Sequence, residues 1–250
     1  MRLRVLGCRG GWPGPDQPCS GYLLEAGGQR ILIDVGAGVL PELLRHVTLP
    51  ELDAIWVSHL HPDHCGDLPI AWHMLAFGTP REHPLPVFGP PGWPAALDAM
   101  LSGAKEIADV VEIVELTDGA RHEFGDLELR AVAVRHSMPT FGLRASHAGT
   151  TLGYPSDSGP CPGVDALARG ADLFLCETFL SLPELRSDQL STPEDAGKAA
   201  AAGGARRLVL THLHPDADPA RAVARAATEF AGPIEVAEPG RIFEVHQGDP

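Results

Sequence analysis

His59-Leu60-His61-Pro62-Asp63-His64 follows a run of strand-forming residues, Ala54-Ile55-Trp56-Val57-Ser58. Four potential metal ligands thus fall within six residues at a strand end. A turn at this point can aim three imidazoles and one carboxylate into a single pocket. Neutral imidazole together with carboxylate suits zinc, manganese or iron. Few purely structural roles require histidine at this density.

Further candidate ligands stand at the ends of other expected strands. His136 follows the segment 127–134, Asp157 follows Leu152-Gly153-Tyr154, and His212 follows Leu208-Val209-Leu210-Thr211. With His59, His61, Asp63 and His64 they make seven groups. One catalytic ion takes about three protein ligands plus solvent, so seven suffice for two. Two ions about 3.5–4 Å apart would share a bridging carboxylate.

The rest of the chain reads as alternating short strands and helices. Strands are expected at Val5-Leu6, 22–25, 30–34, 54–58, 86–89, 110–116, 127–134, 150–154, 173–176, 208–211, 234–236 and 242–245. Gly27-Gly28 between two of them signals a hairpin. Helices are expected over 41–46, 69–77, 94–102, from 192 to Gly203-Gly204, and over 219–230. Thr192 and Asp218 are the N-caps of the last two, each followed by a proline. The pattern predicts an α/β fold, a four-layer αββα sandwich of two sheets with helices outside. No linker divides it, so residues 1–250 are taken as a single domain.

Composition narrows the partners. With 44% hydrophobic and 21% charged residues, the chain reads as a soluble globular protein. A net charge of −14 repels polyanions at long range, so extended RNA or DNA is a poor substrate. The five cysteines form no CxxC pair, which argues against a disulfide framework and fits the cytoplasm. No apolar stretch approaches a membrane span, and the N-terminus reads as a strand and not a signal peptide.

The ordered motifs resemble those of a known family. The cluster at 59–64, the isolated His136, Ser156-Asp157-Ser158-Gly159 and Leu210-Thr211-His212 are similar to the signature of the metallo-β-lactamase superfamily. Leu32-Ile33-Asp34-Val35-Gly36 resembles its first motif. Val5-Leu6-Gly7-Cys8, Pro86-Val87-Phe88-Gly89-Pro90, His136-Ser137-Met138-Pro139, Glu177-Thr178 and the segment 191–197 look like its phosphodiesterase branch. That branch includes ribonuclease Z and bacterial cyclic-nucleotide phosphodiesterases. The resemblance implies that His59, His61 and His136 hold one divalent ion, zinc before manganese or iron. Asp63, His64 and His212 would hold the second, and Asp157 would bridge both. Asp34 would orient the ligand loop without being a ligand. The chemistry implied is attack by a metal-bridging hydroxide, with Asp63, Asp157 and His214 as candidate catalytic residues. A homodimer is implied by analogy with the branch.

Two departures bear on the substrate. The branch usually places a leaving-group histidine where this chain has Gln189, and an amide cannot transfer a proton at neutral pH. His214 is the candidate substitute, with Asp188 behind it. The long arm of bacterial ribonuclease Z is missing: twenty residues separate His136 from Asp157, with Arg144 their single basic residue. The expected function is therefore a dinuclear metal hydrolase cleaving phosphodiester bonds in a small molecule such as a cyclic nucleotide. Hydrolysis of a lactone, thioester or lactam is the alternative, and tRNA 3′ processing ranks below both. Trp12, Trp72, Phe77, Met138 and Phe141 could line a substrate pocket. His46, His73, His83, His122, His147 and His246 are expected at the surface or on helices.

Overall fold

Short apolar runs separated by glycine and proline pair here into two seven-stranded mixed sheets. A computed structural model of the chain describes residues 1–79, 81–101 and 106–248. The first sheet contains β1 (Arg2–Gly7), β2 (Gly21–Ala26), β3 (Gln29–Ile33), β4 (Ala54–Trp56), β5 (Leu85–Gly89), β6 (Val111–Glu115) and β14 (Ile242–Glu244), in the order β14-β1-β2-β3-β4-β5-β6. The second contains β7 (Arg121–Phe124), β8 (Leu127–Val134), β9 (Thr140–His147), β10 (Thr150–Tyr154), β11 (Leu173–Glu177), β12 (Leu208–Thr211) and β13 (Ile234–Val236), in the order β13-β12-β11-β10-β9-β8-β7. In each sheet one half is antiparallel and the other parallel.

The parallel halves need crossovers, and helices supply them. These are α1 (Val39–Leu43), α2 (Pro62–Cys65), α3 (Leu68–His73) and α4 (Trp93–Leu101) on the first sheet, and α5 (Pro162–Ala168), α6 (Pro193–Gly203) and α7 (Pro219–Ala226) on the second. Strand alternation sorts the side chains. Tyr22 and Leu24 of β2 point into the core between the sheets, against Leu129, Leu143 and Leu152. Leu23 of the same strand points outward, into a second core under Val39, Trp72 and Trp93. A third core packs Phe174 and Leu210 against Leu167, Ala200 and Ala226. The layers run α, β, β, α, as the sequence pattern predicts.

Several boundaries differ from expectation. The helix expected over 41–46 occupies Val39–Leu43, with Pro41 in the first turn, where its missing N–H costs nothing. The helix expected over 69–77 is α-helical only over Leu68–His73 and continues as a π-turn through Met74–Gly78. Of the helix expected over 94–102, Ser102 lies outside the described residues. α7 stops at Ala226, short of Phe230. The strands β7 and β9 and the helix α5 were not anticipated. β9 carries Gly142 because α5 presses on it: a Cβ there would lie 2.5 Å from Leu167 Cδ1. That glycine interrupts the apolar pattern which would otherwise have marked the strand.

The helix expected to begin at Thr192 does so. Thr192 and Asp195 form a reciprocal capping box, the hydroxyl accepting from Asp195 N at 3.1 Å. Such a cap contributes about 1 kcal/mol and fixes where the chain turns into the helix. Asp218 caps α7 without a reciprocal partner, its carboxylate accepting from Ala220 N–H.

Candidate metal centre

The loops that carry the predicted ligands leave the carboxyl ends of β4, β10 and β12 and the end of β8. Open α/β sheets bind ligands at the carboxyl ends of their strands. All seven predicted groups converge there, in two sets sharing one member. His59, His61, His136 and Asp157 form one set, and Asp63, His64, Asp157 and His212 the other, with the potential ligand atoms of each set within 4.8 Å of one another.

The atoms that face inward can be named. His59 Nε2 lies 3.0 Å from His61 Nδ1, and His136 Nε2 lies 3.1 Å from the same Nδ1. His64 Nε2 and His212 Nε2 are 3.2 Å apart. Nitrogens about 2.0–2.1 Å from one tetrahedral ion stand roughly 3.3 Å from each other, so these spacings suit a shared cation. Asp157 divides its carboxylate between the sets. Oδ2 faces His59 and His136 at 4.0 and 3.9 Å, while Oδ1 faces His64 and His212 at 3.1 and 3.4 Å. Asp63 Oδ2 completes the second set, 3.0 Å from His212 Nε2, and also accepts from Gly11 N–H at 2.8 Å.

The rings are held by their other nitrogens. His64 Nδ1 bonds Asp34 Oδ2 at 2.8 Å, and His136 Nδ1 bonds the Gln189 main-chain carbonyl at 3.0 Å. Ser58 Oγ lies 3.1 Å from His59 Nδ1, accepts from Ser156 Oγ–H and donates to Asp34. Such partners select the tautomer that leaves Nε2 free as a ligand. Asp34 is buried and accepts from Ser58 N–H, Ser58 Oγ–H and Tyr154 O–H as well. It orients His64 without belonging to either set, as the sequence implied. Burial, and Asp34 beside it, pushes the Tyr154 phenol well above its ordinary value, so Tyr154 remains a donor.

Electrostatics fit a cation. Burial opposes ionisation of Asp157, yet His212 and His64 hold its carboxyl well below the usual range. Asp63 is likewise held low, chiefly by its bond to His212, against the opposing effect of burial. The acidic groups in turn draw protons toward the second set. Burial is the largest single influence and works against charge on His64 and His212, but Asp157 with Asp34 at His64, and Asp157 with Asp63 at His212, together outweigh it and raise both. Burial lowers His59 and His61, which leaves them neutral and fit to coordinate. Asp157 Oδ1 accepts no hydrogen bond of good geometry despite its approach to His64 and His212, and His212 Nδ1 is buried without a partner; a cation would satisfy the carboxylate oxygen. The donor set of imidazole and carboxylate therefore fits divalent metal ions.

The backbone is bent to make the site. Five non-glycine residues among those described have positive φ, and three of them, Asp34, Ser156 and His212, end β3, β10 and β12 at this centre. Non-glycine residues pay for that conformation, and such outliers cluster at functional sites.

Other predicted residues fall further out. His214 is not bonded to any of the seven groups. Its ring packs edge-on to Trp12 at 5.7 Å and against Phe179 at 5.2 Å, and Phe179 in turn meets His212 at 5.6 Å. Gln189 contributes its main chain, and the Asp188 carbonyl backs Gly159. Trp72 and Phe141 are core residues and not pocket wall, whereas Trp12 and Phe77 are exposed. His122 is half-buried against Phe88 at 4.6 Å, not a surface residue. Sequence reasoning missed Glu177 as a structural hub. This buried carboxylate accepts N–H bonds from Phe179 and Ser191 at 2.7 and 2.6 Å and from Ser158 at 3.3 Å. It ties the Asp157 loop to the Gln189 segment, and burial followed by the nearby Asp157 pushes its carboxyl up to about 8. A charge closing the apolar run Leu173-Phe174-Leu175-Cys176 was the available signal.

Comparison with known proteins agrees with this architecture. The sequence model of the beta-lactamase superfamily domain matches residues 29–213. An uncharacterized protein of Mycobacterium tuberculosis is 36% identical, covering 99% of this chain and 93% of its own. Ribonuclease Z of Mycobacterium marinum is 32% identical over 98% of this chain and 99% of its own. Among solved structures, the metallo-beta-lactamase fold protein YhfI from Bacillus subtilis superposes with a TM-score of 0.85 at 24% identity, covering 97% and 98% of the two chains. The short form of human tRNase Z gives 0.78 at 22% identity, covering 99% and 100%. Domain match, ribonuclease Z-like relatives and shared fold together mean that the chain belongs to the metallo-β-lactamase superfamily.

Proposed function

We propose that this protein is a dinuclear metal-dependent hydrolase that cleaves phosphodiester bonds in a small substrate, with a cyclic nucleotide as the favoured example. The posture of Asp157, one carboxylate oxygen toward each ligand set, carries this reading. His59, His61 and His136 would hold one divalent ion, and Asp63, His64 and His212 the other. Zinc is the first choice, with manganese or iron next. Such ions supply an acidified water and neutralise charge developing on the scissile phosphoryl group.

The protein's own task is to position and to move a proton. An alkoxide leaves poorly until protonated. Gln189 lacks a transferable proton, which makes His214 the donor in this reading. To act as the acid the His214 ring must be the imidazolium, which passes one proton to the alkoxide and is left neutral; in the neutral ring Nδ1 accepts from Asp216 N–H at 3.2 Å. A small substrate is favoured over tRNA for two reasons. The segment between His136 and Asp157 is spent on the β9–β10 hairpin, with no arm, and the chain carries a net charge of −14. The cytoplasm is the proposed compartment, in keeping with five free cysteines. Hydrolysis of a lactone or thioester is the second reading. It is favoured by Gln189, because a thiolate needs less protonation than an alkoxide.

Metal-loaded protein should be assayed on bis(p-nitrophenyl) phosphate, 2′,3′- and 3′,5′-cyclic nucleotides, a lactone and a thioester. Turnover of a phosphodiester is expected. Turnover of the carboxyl substrates alone would overturn the proposal in favour of the second reading. Asp157→Ala should lose metal and activity together; two ions per chain retained in that variant would refute the bridging role.

A further inference from the structure

The geometry points to a second binding site, for a phosphate-bearing small molecule, on the outer face of the second sheet, built by Arg130, Arg144 and Arg135. Small-molecule sites are clefts of about 300–1,000 Å³, and here one of about 430 Å³ lies between β8, β9 and the start of α5. The three arginines line it beside Val132, Val134 and Asp118. None of the seven groups of the metal centre lines it. The inference does not depend on the reaction proposed above.

Arg130 and Arg144 stand directly opposite each other across β8 and β9. Their neighbours Leu129, Ala131, Leu143 and Ala145 point into the inter-sheet core, so both guanidinium groups share the outer face. Like charges in that register destabilise a sheet. Acidic residues outnumber basic ones by 33 to 19 in this chain. Many other arginines are paired, Arg121 with Glu128, Arg206 with Asp172 and Arg225 with Glu194. Among the described residues, no carboxylate lies within ion-pair distance of Arg130, Arg135 or Arg144. The acids around the cleft, Asp118 in its lining and Glu128 and Asp172 acting on Arg144, are already engaged. Asp118 accepts from Ala133 N–H at 2.9 Å, Glu128 holds Arg121, and Asp172 holds Arg206.

The guanidinium groups keep donors to spare. Arg130 Nε is buried without a partner. Arg144 spends one N–H on the Leu167 carbonyl at 3.2 Å, and Arg135 one on the Pro160 carbonyl. Burial chiefly, then Arg130 and Arg169, lowers the Arg144 pKa, against the opposing pull of Asp172 and Glu128. Guanidinium forks match phosphate oxygens two at a time, which makes phosphate the fitting anion. Val132, Val134 and Ala166 offer an apolar wall for the organic part of the ligand.

The test is calorimetric titration of the metal-loaded protein with pyrophosphate and with AMP at low salt. Two classes of site are expected in the wild type, one at the metal centre and one here. The Arg130→Gln/Arg144→Gln double variant should lose the second class, with affinity falling about tenfold or more per arginine. It should hydrolyse bis(p-nitrophenyl) phosphate at the wild-type rate. Without ligand its Tm should equal or exceed that of the wild type, because a like-charge pair is relieved, and pyrophosphate should raise the wild-type Tm more than the variant's. Arg144→Lys keeps the charge but not the fork and should bind with intermediate affinity. Unchanged pyrophosphate stoichiometry and affinity in the double variant, or a single class of site abolished by Asp157→Ala, would overturn the inference.

Discussion

His136 Nδ1 lies 3.0 Å from the main-chain carbonyl of Gln189. The residue that departs from the family pattern thus supports a metal-site histidine through an atom no side-chain replacement removes. Gln189→Ala should therefore keep full metal occupancy, measured by elemental analysis. Gln189→His introduces a proton donor on an unchanged main chain. It should raise the rate on alkyl phosphodiesters by about tenfold or more, within the range for general acid catalysis, while p-nitrophenyl esters change little. Equal acceleration of both substrates would show that proton donation is not what residue 189 limits.

Asp34 gathers four hydrogen bonds beneath the centre, including the one that orients His64. Asp34→Asn removes the charge and turns one acceptor oxygen into a donor, without backbone strain, because asparagine tolerates the left-handed conformation at φ 55°. Loss of such an outer partner costs roughly 10–100-fold in metal affinity. We expect a loss in that range by competition with a chelator, with the far-UV spectrum retained. An unchanged affinity would leave Asp34 as a fold-determining residue only.

His214→Ala should slow cleavage of alkyl phosphodiesters by about 10²–10⁴-fold, the usual contribution of a positioned general acid. The effect on p-nitrophenyl esters should be small, since that leaving group departs unprotonated. Full activity on alkyl substrates would remove His214 as the donor. Metal content should stay the same, because Phe179 packs between His214 and the candidate ligand His212.

Glu194 and Arg225 join α6 to α7 through two bonds of 2.8 Å. The Arg225 guanidinium holds the Glu194 carboxyl below its ordinary value of 4.5, with burial opposing. A carboxyl lowered in the folded state stabilises the fold above its unfolded value, and that contribution is lost as the pH falls below it. Both side chains are partly exposed, so the pair contributes about 0.5–1 kcal/mol. Denaturant titrations from pH 6 down to pH 3 should show a shallower acid loss of stability for Glu194→Gln than for the wild type. Parallel curves would mean that the pair contributes nothing.

The candidate ligands are legible because each stands at the end of a strand that its own residues announce. Ala54 to Ser58 delivers the cluster at 59–64, and Leu208 to Thr211 delivers His212. The partners behind them were harder to see. Ser58, Ser156 and Tyr154 carry no sign in sequence that they surround Asp34, since their meeting depends on two sheets coming face to face. β9 was obscured by Gly142, whose absent side chain is explained only by the helix that packs there. Gln189 drew attention for its side chain, whereas its carbonyl makes the contact, and carbonyl groups are the same at every position in a sequence.

Asp34, Ser156 and His212 hold left-handed backbones that glycine would adopt freely. Each costs on the order of 1–2 kcal/mol relative to an ordinary conformation. Glycine at any of the three would therefore relax the chain while deleting a group the centre depends on. A lineage selected for heat resistance alone would drift toward those substitutions and lose its chemistry on the way.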